Sequence, residues 1–269
     1  LASGASTDDI VEIVSFSTFE TNSGVFTGDF SVDSPTFKVD SSNDRVGIGT
    51  ASPSHPIHVV TSTDGTGVSG DDKFVALFQN AEATDGRSYG VKIMAGSTSD
   101  QALTITDHDG SNDLMAVDGY GHVTMPKQSA FSVHKNGTSQ NNVSTNSHHT
   151  VVWAAELYDQ NSDFDLSSET FTAPVTGKYQ FNLCMRLGNL DSANAYYVSR
   201  IVTSNNTYSQ IFDPDFGQDQ AYWFVQLSVL ADMDANDTAY ATFYQNGGTA
   251  QTDIDGSQAY TNFTGYLVC

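Results

Sequence analysis

The stretch from Val151 to Leu183, VVWAAELYDQNSDFDLSSETFTAPVTGKYQFNL, decides the reading of this chain. Its aromatic residues fall at set intervals: Trp153, Phe164, Phe171, Tyr179 and Phe181. With Asp159, Gly177 and Leu183 they give the pattern W-x5-D-x4-F-x6-F-x5-G-x-Y-x-F-x-L. In the continuation GKYQFNLCMRL, the apolar Tyr179, Phe181, Leu183, Met185 and Leu187 alternate with Lys178, Gln180, Asn182 and Arg186. Period-2 alternation rich in aromatics is a half-buried strand. Pro174 and Gly177 bracket a turn before it, and the polar run Asp159 to Asp163 reads as a loop between two apolar runs. Nothing in this region has helical spacing.

The same spacing resembles the signature of the complement C1q globular head, one of the tumour-necrosis-factor-like jelly rolls. That family has Phe where this chain has Trp153, and Phe or Tyr where it has Leu183; both changes keep a large apolar side chain. Phe131-Ser-Val133 is similar to the family's opening strand. Phe263, Thr264, Gly265, Tyr266 and Leu267 are similar to its closing one. The resemblance covers roughly residues 131 to 269. It implies a jelly-roll β-sandwich head over 129–269 and assembly as a homotrimer.

The first 128 residues have a different texture. In FKVDSSNDRVGIGTASPSHPIHVV, residues Val39, Asp40, Ser41, Asn43, Arg45, Val46, Gly47, Ile48, Gly49, Thr50, Pro53, Ser54, His58 and Val59 carry a resemblance to a unit of phage tail fibres and trimeric bacterial adhesins. A dinucleotide-binding reading of Gly47-Ile-Gly49 fails. Its third glycine would fall at Ser52, and Pro53 and Pro56 forbid the helix that must follow. These glycines are expected instead to allow close packing near a symmetry axis. An apolar run, Ile10 to Phe19, precedes the unit, and spaced apolars include Val25, Phe26 and Phe30. Residues 61 to 72 read as a Gly/Ser/Asp linker. From Lys73 to Met125, short strands alternate with Asp-Gly and Gly-Ser turns, and Asp118 to His122 echoes the Asn43 to Ile48 turn. Such strands bury little on their own, so 1–128 is expected to be a shaft of three intertwined chains. The fold class is therefore all-β: an intertwined trimeric β shaft followed by a jelly-roll head.

At 269 residues and a net charge of -22, mostly from Asp, the chain is unsuited to binding nucleic acid or an anionic membrane. There is no apolar run of transmembrane length and no signal peptide, so no membrane insertion is expected. The chain starts at Leu1 without Met, which reads as a fragment of something longer. Cys184 and Cys269 are too few for a disulfide framework, although a single bridge is open to them.

No GxSxG, HExxH, CxxC pair or P-loop is present, and close Asp pairs are inevitable in so Asp-rich a chain. No enzyme is expected, although carboxylate pairs of the kind used by polysaccharide-degrading tailspikes keep that alternative open. No cofactor is expected beyond calcium, for which Asp213, Asp215 and Asp219 form one loop set and Asp232 and Asp234 another. The second is no EF-hand, because Asp237 and Phe243 replace the required Gly and Glu. His55 with His58, and His148 with His149, are further metal candidates. For receptor contact the candidates are Tyr208, Phe212 and Phe216, read as loop aromatics, with Asn205 and Asn206 beside them. Trp223, inside a strong strand, is expected in the core or an interface. Sequons at Asn136, Asn142, Asn205, Asn236 and Asn262 occur by chance in a fibre, or carry glycans if the chain is a secreted eukaryotic lectin.

These readings converge on the distal part of a phage tail fibre, located in the virion and assembled in the host cytoplasm. Its expected partners are two further copies of itself, other tail or capsid proteins, and a host surface glycan or protein. The alternative is a trimerising cap or decoration fibre with no receptor of its own.

Overall fold

The computed structural model describes residues 30–32, 36–61, 75–81 and 89–269. The Ile10 to Phe19 run, Val25 and Phe26, and most of the 61–72 linker lie outside the described residues. The chain divides into two compact units, Leu1–Lys92 and Ile93–Cys269. All regular structure among the described residues is β, so no helix is long and apolar enough to cross a membrane.

In the first unit, β1 (Phe30–Val32), β2 (Phe37–Asp40), β3 (Arg45–Ile48) and β4 (Ile57–Val59) form one sheet in sequence order. The first three are antiparallel, and β3 and β4 run parallel. The β2–β3 turn is built by Asp40, whose carboxylate accepts from the Ser42 N–H at 3.2 Å and the Asn43 side-chain amide at 2.9 Å. Arg45 holds the following loop by donating to the Pro53 carbonyl at 2.8 Å. The role of Gly49 differs from the expectation. A Cβ there would lie 1.9 Å from the Val60 carbonyl oxygen, and φ is +74°. The close approach that demands glycine is thus to the chain's own backbone, where the Val60 N–H bonds the Ile48 carbonyl.

The second unit opens with a three-stranded meander, β5 (Gln101–Thr106), β6 (Asp113–Asp118) and β7 (Val123–Thr124). Asp118 builds its last turn as Asp40 builds the earlier one. Its carboxylate accepts from the Tyr120 and His122 N–H groups and from the His122 ring. Asp40 and Asp118 thus each close an Asx turn, whereas the echo expected from the sequence matched Asp118 to His122 with Asn43 to Ile48.

The head is a two-sheet sandwich. Its strands are β8 (Ala130–His134), β9 (His148–Thr150), β10 (Ala155–Asp159), β11 (Phe164–Asp165), β12 (Thr170–Thr172), β13 (Gly177–Leu190), β14 (Asn194–Thr203), β15 (Thr207–Phe212), β16 (Gln220–Met233), β17 (Thr238–Gly247), β18 (Asp253–Ile254) and β19 (Asn262–Leu267). One sheet has the order β10-β8-β19-β13-β16, with β18 paired to β13. The other has the order β11-β12-β17-β14-β15, with β9 paired to β17. Non-consecutive neighbours and antiparallel ladders make this a jelly roll. The alternation in Gly177 to Leu190 is realised directly, with Tyr179, Phe181, Leu183, Met185 and Leu187 buried.

The spaced aromatics of the opening motif meet between the sheets. Phe131 lies 4.9 Å from Phe164 and 5.0 Å from Phe171; Phe181 lies 5.8 Å from Phe263; Trp153 stacks on Phe263 at 6.1 Å. Burying each such ring stabilises the fold by about 1.5–3 kcal/mol. The other motif positions fix the chain around that cluster. The Asp159 carboxylate accepts the Asp163 and Phe164 N–H groups, closing the predicted loop. The Tyr179 hydroxyl donates to the Val175 carbonyl at 2.8 Å.

The meander is tied to the head at residues 125–128. The Gln160 side-chain amide donates to the Met125 and Gln128 carbonyls, Asn161 donates to that of Lys127, and Gln128 donates to that of Leu267.

Candidate functional site

Strand register splits the candidate residues between two ends of the sandwich. At the end carrying the meander, Gly177 pairs with Met233 and Tyr179 with Leu267; at the far end, Leu190 pairs with Gln220. Asn205 and Asn206 form the β14–β15 turn at the meander end. There the Asn205 amide donates to the Asp237 carboxylate at 2.6 Å and the Asp232 carbonyl at 3.2 Å. Asp213 to Asp219 form the β15–β16 loop at the far end. The six residues of β15, about 20 Å of chain, lie between them. The five proposed contact residues therefore do not form one site.

Tyr208 and Phe212 also differ from expectation. Both are strand residues of β15, paired with Ile201 and Tyr197 of β14, and both turn inward and pack against the core. The alternation Thr207 to Phe212 places Ile211, not its aromatic neighbours, outward. Phe216 is a loop residue as expected, half-buried against Trp223 at 5.0 Å.

The two Asp sets are likewise at opposite ends, and the carboxylates that have contacts spend them on the fold. Asp213 accepts the Asp215 N–H. Asp219 accepts from the Ser192 N–H and hydroxyl and from the Gln251 amide, and the first of these chiefly holds its carboxyl below the usual carboxylate range. Asp232 pairs with Lys178 at 2.6 Å, and the Asp234 N–H donates to Asp237. Among the described residues no three His, Cys, Asp or Glu side chains gather as a metal site. His148 and His149 are adjacent on β9, so they project to opposite faces. His55 and His58 do meet, with ring centroids 5.9 Å apart. Cys184 and Cys269 are both free thiols, so no bridge links them.

What the fold gathers at the far end is a different set. Trp223, 38% exposed, is flanked by Phe212 at 5.5 Å and Phe216 at 5.0 Å. On the outer face beside it, the Arg186 guanidinium lies over the Tyr260 ring at 4.1 Å and the Tyr222 ring at 4.8 Å. Asp255 anchors that guanidinium at 2.6 Å, and Phe224 meets Tyr260 edge-on. Arg186, Tyr222, Trp223 and Phe224 line an open cleft of about 340 Å³. Exposed aromatic faces, a cation and a carboxylate suit polar ligands with apolar ring faces, such as saccharides.

A buried polar cluster braces this end. The Tyr197 hydroxyl accepts the Asp191 N–H at 2.9 Å and meets Thr252 and the Asn194 side chain. The Asp191 carboxylate accepts from the Ala193 and Thr249 N–H groups; the first of these chiefly lowers its pKa. The sequence signal for Arg186 was present, since it is an outward position of the β13 alternation. Nothing local announced Asp255 or Tyr260 as its partners.

The sandwich, its strand order and its aromatic core define a tumour-necrosis-factor-like jelly roll. The C1q domain model matches residues 130–268, over half of the chain, and the chain belongs to the C1q domain family. Domains of this class assemble as homotrimers. Similar solved structures include the globular domain of zebrafish complement 1qA protein, with 20% identity and a TM-score of 0.40 over 53% of this chain and 98% of that one. Another is murine APRIL at pH 8.5, with 9% identity and a TM-score of 0.39 over 53% and 100%. No curated protein matches the chain.

Proposed function

We propose that this chain is the distal part of a homotrimeric viral tail fibre whose head attaches the particle to a glycan on a bacterial surface. The observation that carries the fibre reading lies in residues 75–81 and 89–94. Leu77, Phe78, Tyr89, Val91 and Met94 are 66–81% exposed on segments that join no sheet among the described residues. Exposed apolar residues at this density are a surface built to be covered. Two further copies of the same chain would cover them and supply the missing strand partners. The resemblance of Val39 to Val59 to fibre shafts supports the same assembly.

The contact site in this reading is the far end of the head, with Tyr222, Trp223 and Arg186 around the cleft and Phe216 beside them. Three copies of one weak site raise avidity through effective concentration. Calcium in this reading is shared between copies, since among the described residues of one chain no set of three His, Cys, Asp or Glu gathers. The test is adsorption of the labelled chain to a panel of bacterial cells. Binding that free saccharide competes away, and that Tyr222→Ala weakens by about tenfold at unchanged assembly, supports attachment. A correctly assembled trimer that binds none of the cells overturns it.

One observation favours a purely structural head. Tyr222, Phe224 and Leu230 all lie outward on β16, where they could contact a second copy. In that case Tyr222→Ala weakens assembly and not adsorption.

A further inference from the structure

Lys135, directly after β8, is 1% exposed and is the most deeply buried cation among the described residues. Its Nζ donates to Gln140 Oε1 at 2.8 Å and to the Val152 carbonyl at 2.9 Å. Burial pushes its pKa down to about 8, against the pull of the nearby Glu169 carboxylate. Roughly a tenth of the side chain is then free amine at neutral pH. Gln140 is held on both sides of its amide. Oε1 also accepts the Val152 N–H at 2.9 Å, and Nε2 donates to the Thr150 carbonyl at 3.0 Å. Glu169 sits at φ +60°, a conformation that a non-glycine residue holds only where its surroundings fix it. Its Oε2 accepts the Trp153 N–H at 2.7 Å, and burial pushes its pKa up.

A neutral amine, a carboxamide with a donor on its oxygen, and a carboxyl able to exchange protons are the groups that aminolysis of an amide requires. We propose that Lys135 and Gln140 join in an intramolecular isopeptide bond inside the folded head. The lone pair of Lys135 Nζ attacks Gln140 Cδ, one bond beyond the oxygen it already contacts. Charge developing on Oε1 is held by the Val152 N–H. The new N–C bond stays, the Cδ–Nε2 bond breaks, and Nε2 leaves as ammonia with a proton that came from Nζ. Glu169 is the positioning and proton-exchanging acid. Fixed geometry replaces a bimolecular encounter with a unimolecular step. The product has a driving force of its own, because a buried ammonium becomes a neutral amide. The cross-link would lock the 136–139 turn to the end of β8.

The test is the intact mass of the full chain, followed by a tryptic map. The bond makes the chain lighter than its sequence mass by one ammonia. It also stops trypsin cutting after Lys135, so residues 128–178 are recovered as one looped peptide. Lys135→Arg and Gln140→Ala each restore the sequence mass, and Glu169→Gln leaves a several-fold larger uncross-linked fraction. A native chain at its sequence mass overturns the proposal. So does an ammonia loss with normal cleavage after Lys135, which assigns the loss to a succinimide at Asn136-Gly137. Both readings of the native chain stand whether or not the variants fold.

Discussion

Phe131 of β8 and Gly265 of β19 are cross-strand partners, and a Cβ at position 265 would lie 2.5 Å from the Phe131 ring. Phe181 bounds the same space at 2.6 Å. Glycine is needed here because two aromatic rings of the core lie across the strand's backbone. Gly265→Ala is expected to destabilise the head by about 1–3 kcal/mol through overpacking. Chemical denaturation should show a lower midpoint with an unchanged slope.

Trp153 occupies the place where the family has Phe, and its indole N–H is buried without a hydrogen-bond partner. Trp153→Phe loses ring volume but removes that unsatisfied donor. The two effects oppose each other, each at about 1–3 kcal/mol. The stability change should stay within about 1 kcal/mol in thermal unfolding, whereas Phe181→Ala should lose about 3–5 kcal/mol.

The lowered pKa of Asp191 is a stability term with a defined sign. Its folded pKa lies below the unfolded value of about 3.9, so the stabilisation is fully present above that value. It is lost as pH falls through the folded pKa. Asp191→Asn should be less stable than the native chain at pH 7. The gap should close as unfolding is measured at successively lower pH below about 4.

The exposed apolar residues of 75–94 should matter to assembly and not to the head. Leu77→Ser with Phe78→Ser is expected to lower the midpoint for dissociation of the assembly. The near-ultraviolet signal of the aromatic core should be unchanged. An assembly as stable as the native one would separate these residues from the interface.

The fold was legible because the head's core is written in one contiguous aromatic pattern. Trp153, Phe164, Phe171, Tyr179 and Phe181 are spaced by the strand and loop lengths that bring them together. Phe131 and Phe263 were found as the opening and closing strands of the same motif. The site was less legible, because position along a strand and position in the sandwich are different quantities. Asn205 and Phe212 are close in sequence, yet β15 carries them to opposite ends. Tyr208 and Phe212 read as loop residues because Asn205, Asn206, Asp213 and Asp215 flank them. In the structure those polar residues lie in the turns at the two ends of an edge strand. The Arg186–Tyr260–Asp255 cluster joins residues about seventy positions apart, and only the register of β13 against its neighbours brings them together.

The central claim is that three copies of this chain form one fibre, and its mass in solution tests that most directly. Light scattering on the purified full chain should give three times 28.9 kDa, or 86.7 kDa, across a wide range of concentrations. A stable 28.9 kDa monomer would contradict the account, because Leu77, Phe78, Tyr89, Val91 and Met94 would then face water with nothing to cover them.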